Sequence, residues 1–230
     1  MLIGPQNLTV LVKEVRSRIR NAALAAQRDP DSITLVAVTK GKSAESITEA
    51  ATAGVTDFGE NYLQEAIAKI DALSALEVRW HYIGQIQSNK TKTIATRFTW
   101  VHSLDRIGIA RRLSEQRPFH APPLQVCLQV ALIPEPAKGG VAPDHLAQLA
   151  AGVALLPRLQ LRGLMCIPPP QPDAAAERAV FARLRVLMDQ LNANGLKLDT
   201  LSMGMSADFE SAIAEGATMV RIGTALFGAR

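Results

Sequence analysis

The stretch TLVAVTK (34–40) is strand-forming material that ends in a lysine, with GKS after it. A primary amine can attack a carbonyl once it sheds its proton, which partial desolvation and a neighbouring cation favour. Strand parity puts Lys40 on the face of Val36 and Val38, opposite Leu35, Ala37 and Thr39. The plain alternative is a solvated loop lysine like Lys42. Two later stretches offer a different chemistry. SMGMSADFESA (202–212) puts Gly204 in a turn and Ser206 at a helix start, and RIGTALFG (221–228) repeats the arrangement with Gly223 and Thr224. Helix starts present free backbone N–H groups and a positive dipole end, both of which attract phosphate. Arg221 falls between Val220 and Ile222 inside apolar strand material. A guanidinium is not buried without partners, so it either faces a helix or points at a ligand as a permanently charged donor.

Short apolar runs at 35–39, 55–58, 79–83, 99–103, 124–130, 159–167, 200–203 and 219–222 must position these residues. Helical patterns fall between them, at 43–53, 61–76, 88–97, 105–117, 143–156, 173–193 and 207–215. Ser43, Ser88, Asp105 and Ser206 are expected caps, and Gly54 and Gly195 are expected helix ends. Eight strand–helix repeats predict an α/β fold, a single (β/α)8 TIM barrel spanning 1–230, preceded by an extra amphipathic helix over 5–28. The rival open sheet would carry a GxGxxG turn after its first strand, and the chain has none there. Sites in such barrels lie at the C-terminal ends of strands, with phosphate commonly after strands seven and eight. Lys40, Arg221 and the two Gly-containing turns then form one set. An amine, a ring-facing arginine and a phosphate cradle fit pyridoxal 5′-phosphate.

Composition narrows the classes. Apolar residues make up 48% and charged residues 20%, the balance of a globular protein with its own core. A net charge of +4 is mildly basic, but with aromatics at 4% there is no stacking platform for bases, so nucleic acid is not an expected partner. Cys127 and Cys166 lack metal-site spacing and read as buried thiols; no metal is expected. The N-terminus lacks a signal-peptide pattern and no apolar run approaches a membrane span, which predicts a cytoplasmic protein without a membrane partner.

AVTKGKS, DFGENYLQEA, WHYIGQIQSNK, LRGLMCIP, LSMGMSADFESAI and TMVRIGTALFG occur in order along residues 8 to 230. Together they resemble the pyridoxal phosphate homeostasis protein family (YggS/PROSC), which is similar in fold to the alanine racemase N-terminal barrel of the PLP fold-type III kind. The resemblance implies Lys40 as the Schiff-base lysine, Ser206, Gly223 and Thr224 at the phosphate, and Arg221 facing the pyridine nitrogen. It implies that Asn61, His81 and Met203 line the pocket and that Lys138 is a second lysine in the fifth loop. The chain departs from the family's pattern at Ala131, where a polar residue is common, at Pro134 and Pro136 beside Lys138, and at Phe209, where Met is usual.

Two functions of different class follow. One is a carrier that holds PLP as a Schiff base, takes part in intracellular PLP homeostasis and meets apo PLP enzymes transiently, without catalysis of its own. The other is a PLP-dependent amino-acid racemase. The resemblance favours the carrier, because racemases of this type add a C-terminal β-domain and a tyrosine from across a dimer. This chain has only Tyr62 and Tyr82, both early. A barrel that binds another phosphorylated metabolite without a covalent bond is a third reading. No exposed heptad argues for assembly, so a monomer is expected.

Overall fold

The computed structural model describes residues 7–133, 135 and 139–228. Eight parallel strands close on themselves in chain order: β1 (Thr34–Val38), β2 (Asp57–Glu60), β3 (Arg79–Tyr82), β4 (Trp100–Leu104), β5 (Leu124–Gln129), β6 (Leu159–Met165), β7 (Thr200–Ser202) and β8 (Met219–Ile222). β1 also pairs with β8, bringing Val36 level with Arg221. The expected barrel is present, with strand ends shifted by at most two residues.

The helices are α1 (Leu8–Ala25), α2 (Ala44–Thr52), α3 (Leu63–Ala72), α4 (Thr91–Arg97), α5 (Ile107–Gln116), α6 (Pro143–Ala154), α7 (Ala174–Ala193), α8 (Phe209–Ala214) and α9 (Thr224–Phe227). α8 and α9 are too short to cover the seam where β8 meets β1. α1 fills the gap, packing on α2, α8 and α9. It buries Leu8, Val12, Val15, Ile19 and Ala23, a stripe at three- and four-residue spacing. Each fully buried aliphatic side chain there contributes about 1.5–3 kcal/mol. Asn7 caps its start by accepting from Thr9 N.

Strand alternation divides the interior into two cores. Leu35, Ala37, Phe58, Val220 and Ile222 belong to the large layer between strands and helices. Val36, Trp100, Cys127, Met165 and Met219 form a separate cluster in the lumen. Val36 is therefore inward, on the opposite face from Leu35 and Ala37, the division that the parity of TLVAVTK predicts.

Some local expectations need correction. Ser43 does cap α2, accepting from Ser46 N, and Gly54 and Gly195 end helices at φ +90° and +95°. Ser88 instead lies inside a short 3₁₀ turn (Ser88–Lys90) before α4. Asp105 pairs with Arg106, and α5 starts without a side-chain cap. Ser206 does not cap α8, which starts at Phe209; its hydroxyl goes elsewhere, as described below. Only at Ser206 does a distant partner take the polar group from the nearby helix. The helix start expected at Gly223 and Thr224 is present as α9, which runs for only four residues.

Candidate cofactor site at the barrel mouth

β1 ends at Val38, and the chain turns through Thr39–Lys42, closed by Lys42 N donating to Thr39 O at 3.0 Å. Lys40 sits in this turn, exposed and with no partner among the described residues. The turn itself is tightly held. Lys69 of α3 donates to Thr39 O at 2.6 Å and Glu60 Oε1 at 2.7 Å, and pairs with Glu65. Thr39 Oγ1 donates to Glu60 Oε1 at 2.6 Å, and Gly41 N to Glu65 Oε1 at 2.6 Å. On the other side Lys42 Nζ donates to Phe227 O at 2.9 Å, tying the turn to α9. Glu60 and Lys69 are buried. Burial pushes the Glu60 carboxyl up, against the opposing pull of Lys69 and Thr39. A mobile solvated loop needs no such scaffold; a lysine that must be delivered to one place does.

Arg221 is inward and 3% exposed. Its Nη1 donates to Ser202 Oγ at 2.7 Å and its Nη2 to Cys166 O at 2.8 Å. Burial lowers its pKa, yet a guanidinium stays charged. Beneath it a line of polar side chains descends through the lumen. Ser202 Oγ lies 2.7 Å from His102 Nδ1, His102 Nε2 lies 2.9 Å from His81 Nδ1, and His81 Nε2 lies 2.9 Å from Asp57 Oδ1. Asp57 is gripped from outside by Arg79, Nε to Oδ1 at 2.6 Å and Nη2 to Oδ2 at 2.7 Å. Burial alone would raise the Asp57 carboxyl; the bonds from His81, Arg79 and Thr56 outweigh it and hold it well below the usual carboxylate range. Burial lowers both histidines, His102 most strongly.

The two Gly-containing turns meet. Ser206 Oγ accepts from Ala225 N at 3.2 Å, joining the β7–α8 loop to the first turn of α9. Gly204 has φ +91°, and a Cβ there would lie 2.9 Å from Phe209 Cα, so the position is restricted to glycine. Thr224 is exposed at the start of α9, and Gly223 lies over Val38, the last residue of β1. Across the mouth Asn61 follows β2, its Oδ1 buried without a partner among the described residues. The backbone there is packed against Gly84, whose Cβ would collide with the Asn61 carbonyl.

So Lys40, Asn61, Ser206, Arg221, Gly223 and Thr224 all stand at the C-terminal end of the barrel. His81 and Met203 do not fit a pocket-lining place, since each has 0% exposure. His81 has both ring nitrogens bonded within the lumen and stacks on Trp100, ring centres 5.7 Å apart. Met203 follows inward Ser202 and so faces the outer core. Lys138, Pro134 and Pro136 lie outside the described residues. Sequence reasoning missed Lys69, Glu65 and Ser202. The four-residue spacing of Glu65 and Lys69 in LQEAIAK was a weak signal for the first pair.

The barrel is of the class of the alanine racemase N-terminal domain, whose family model matches residues 13–230. Alanine racemase from Corynebacterium glutamicum shares the fold at a TM-score of 0.70 and 16% identity, over 95% of this chain and 62% of that one. A pyridoxal phosphate homeostasis protein of Pseudomonas aeruginosa is 59% identical over 95% of this chain and 94% of its own length. PipY of Synechococcus elongatus, solved with PLP bound, is 41% identical with a TM-score of 0.82, over 92% of this chain and 99% of that one. The chain belongs to the pyridoxal phosphate homeostasis protein family.

Proposed function

We propose that this chain binds pyridoxal 5′-phosphate at the barrel mouth and serves to hold and supply it, without being a racemase. The observation that carries the reading is Lys40, an exposed amine in a turn pinned from both sides, at the same end of the barrel as a buried guanidinium. Other residues fit the same ligand. Asn61 Oδ1 is buried without a partner, and the Ser206 and Gly223–Thr224 turns are joined at a helix start. The names of close relatives and the PLP-bound PipY support the same choice.

Bound there, pyridoxal 5′-phosphate supplies an aldehyde open to a primary amine and an electron-accepting ring. Lys40 provides the amine, and Ser206 with the Gly223–Thr224 turn holds the phosphate. Arg221 only donates, so beside a pyridine nitrogen it leaves that nitrogen without a proton and weakens the ring as an electron sink. Two-base racemisation needs a second acid–base group at the ring. Tyr82 donates to Gln85 O, and His81 and His102 are sealed in the lumen. Among the described residues no helix is long and apolar enough to cross a membrane. A monomer in the cytoplasm that meets apoenzymes transiently completes the reading.

The test is optical. Protein mixed with PLP is expected to develop a visible band distinct from that of free PLP, which borohydride bleaches while fixing the pyridoxyl group on Lys40; Lys40→Ala is expected to show neither. A mixture that shows only free PLP sinks the reading; fast racemisation of alanine, lost in Lys40→Ala, replaces it with the enzyme.

A further inference from the structure

The lumen chain has a direction that its two ends impose. Arg221 has only donors, so Ser202 Oγ must accept from Nη1 at 2.7 Å. Asp57 already receives two bonds from Arg79 as a carboxylate, so His81 Nε2 must be the donor on their 2.9 Å contact. A neutral imidazole donates from one nitrogen and accepts at the other. With Nε2–H on His81, its Nδ1 accepts, and His102 Nε2 must carry the hydrogen between them. His102 Nδ1 then accepts from the Ser202 hydroxyl. Every proton is assigned and no ring nitrogen is left over. Burial, which disfavours the imidazolium forms, agrees with two neutral rings.

We propose that Ser202, His102, His81 and Asp57 are positioning residues for Arg221, a one-way hydrogen-bond chain that orients the guanidinium from the opposite face of the barrel. Asp57 and Arg79 open their strands, whereas Ser202 closes β7, so the chain runs from the N-terminal face to the mouth and crosses the lumen from β4 to β7. Arg79 is 57% exposed on its side chain and anchors the far end from solvent. The chain stands on geometry alone; that Arg221 then meets a pyridine ring rests on the function proposed above.

Two measurements test the two parts separately. Nitrogen-15 spectra of ligand-free protein, simplified by His120→Asn and His145→Asn at the exposed histidines, are expected to give the Nε2–H tautomer for both remaining rings. An imidazolium or an Nδ1–H ring at neutral pH overturns the chain whether or not PLP binds. In PLP-loaded protein, Ser202→Ala is expected to move the visible band and weaken PLP binding about tenfold, the scale of disturbing a bond to a charged group. Ser202→Thr keeps the hydroxyl and is expected to restore both. Unchanged band and affinity in Ser202→Ala overturn the positioning role. Should Ser202→Ala fail to fold, Asp57→Asn serves. Its amide can donate to His81 Nε2 and reverse both tautomers, and loaded protein with unmoved tautomers and band is the overturning result. Wild-type protein that takes up no PLP, with the expected tautomers, sinks the function and leaves the chain standing.

Discussion

The lumen and the mouth of this barrel are built from similar residue types but differ in how polar groups are satisfied. In the lumen Asp57, His81, His102 and Ser202 are buried and each has its bonds. At the mouth, among the described residues, Lys40 has no partner and Asn61 Oδ1 is buried without one. A buried polar group without a partner costs about 1–3 kcal/mol. A fold retains that cost where something else supplies the bond. On the function proposed above, satisfaction, more than residue type, separates the groups that hold the barrel from those offered to a ligand. Glu60 sits on the border: one carboxylate oxygen is bonded to Lys69 and Thr39, the other is buried with no partner among the described residues.

The comparison breaks most readily at that border. Lys69→Met removes the cation from the buried Glu60 and is expected to cost about 3–5 kcal/mol, measured as a fall in the urea unfolding free energy. A loss under about 1 kcal/mol, the range of exposed surface pairs, would mean that the turn under Lys40 is not held as described.

The lumen should next reveal itself in acid. His81 and His102 are lowered from their ordinary 6.5 by burial, so the unfolded chain takes up protons that the folded chain refuses. Their contribution to stability is complete above pH 6.5 and is lost as pH falls below it. Asp57, held below its ordinary 3.8, adds its own loss only further down. Urea midpoints are expected to drop between pH 7.5 and 5, and to drop equally in a variant lacking the exposed His120 and His145. A flat profile would place the imidazoles in contact with water.

The mouth should behave in the opposite sense. Asn61→Ala is expected to change stability by no more than about 0.5 kcal/mol and to weaken PLP binding by about three- to tenfold, as titration of the visible band would record. Equal losses in both would erase the distinction. The smallest effect is none at all: Cys127 in the lumen and Cys166 behind it are pushed up to about 12 by burial, so neither thiol should react with an alkylating reagent at pH 8 before the protein unfolds.

Much of the architecture was legible in the sequence because strand parity and helix spacing are local. MVRI reads as β8 to the residue, and the two faces that parity assigns in TLVAVTK separate Val36 from Leu35 and Ala37 in the barrel. The site residues at strand ends follow from fold and position together. His81 faces the lumen but spends both ring nitrogens there, whereas Met203 is decided by parity. Near a strand end one step of parity decides between lumen and shell, and Met203 takes the shell because Ser202 takes the lumen. The chain from Asp57 to Arg221 was not legible. It joins β2, β3, β4, β7 and β8, and a contact such as His102 to Ser202 spans 100 positions and depends on the diameter and stagger of the closed barrel. Lys69 was largely hidden because two of its partners, Thr39 O and Glu60, lie on other elements.

The bond from Lys42 to Phe227 spans 185 positions and lies beside the seam between first and last strands. Lys40 belongs to the first strand–helix unit to be synthesised; Ser206 belongs to the seventh, and Arg221, Gly223 and Thr224 to the eighth. If the proposed function holds, an unfinished chain carries the lysine but no place to hold what it would capture. Ligand capture would then report that the circle has closed, and a lesion that opens the seam should bleach the protein before it unravels it.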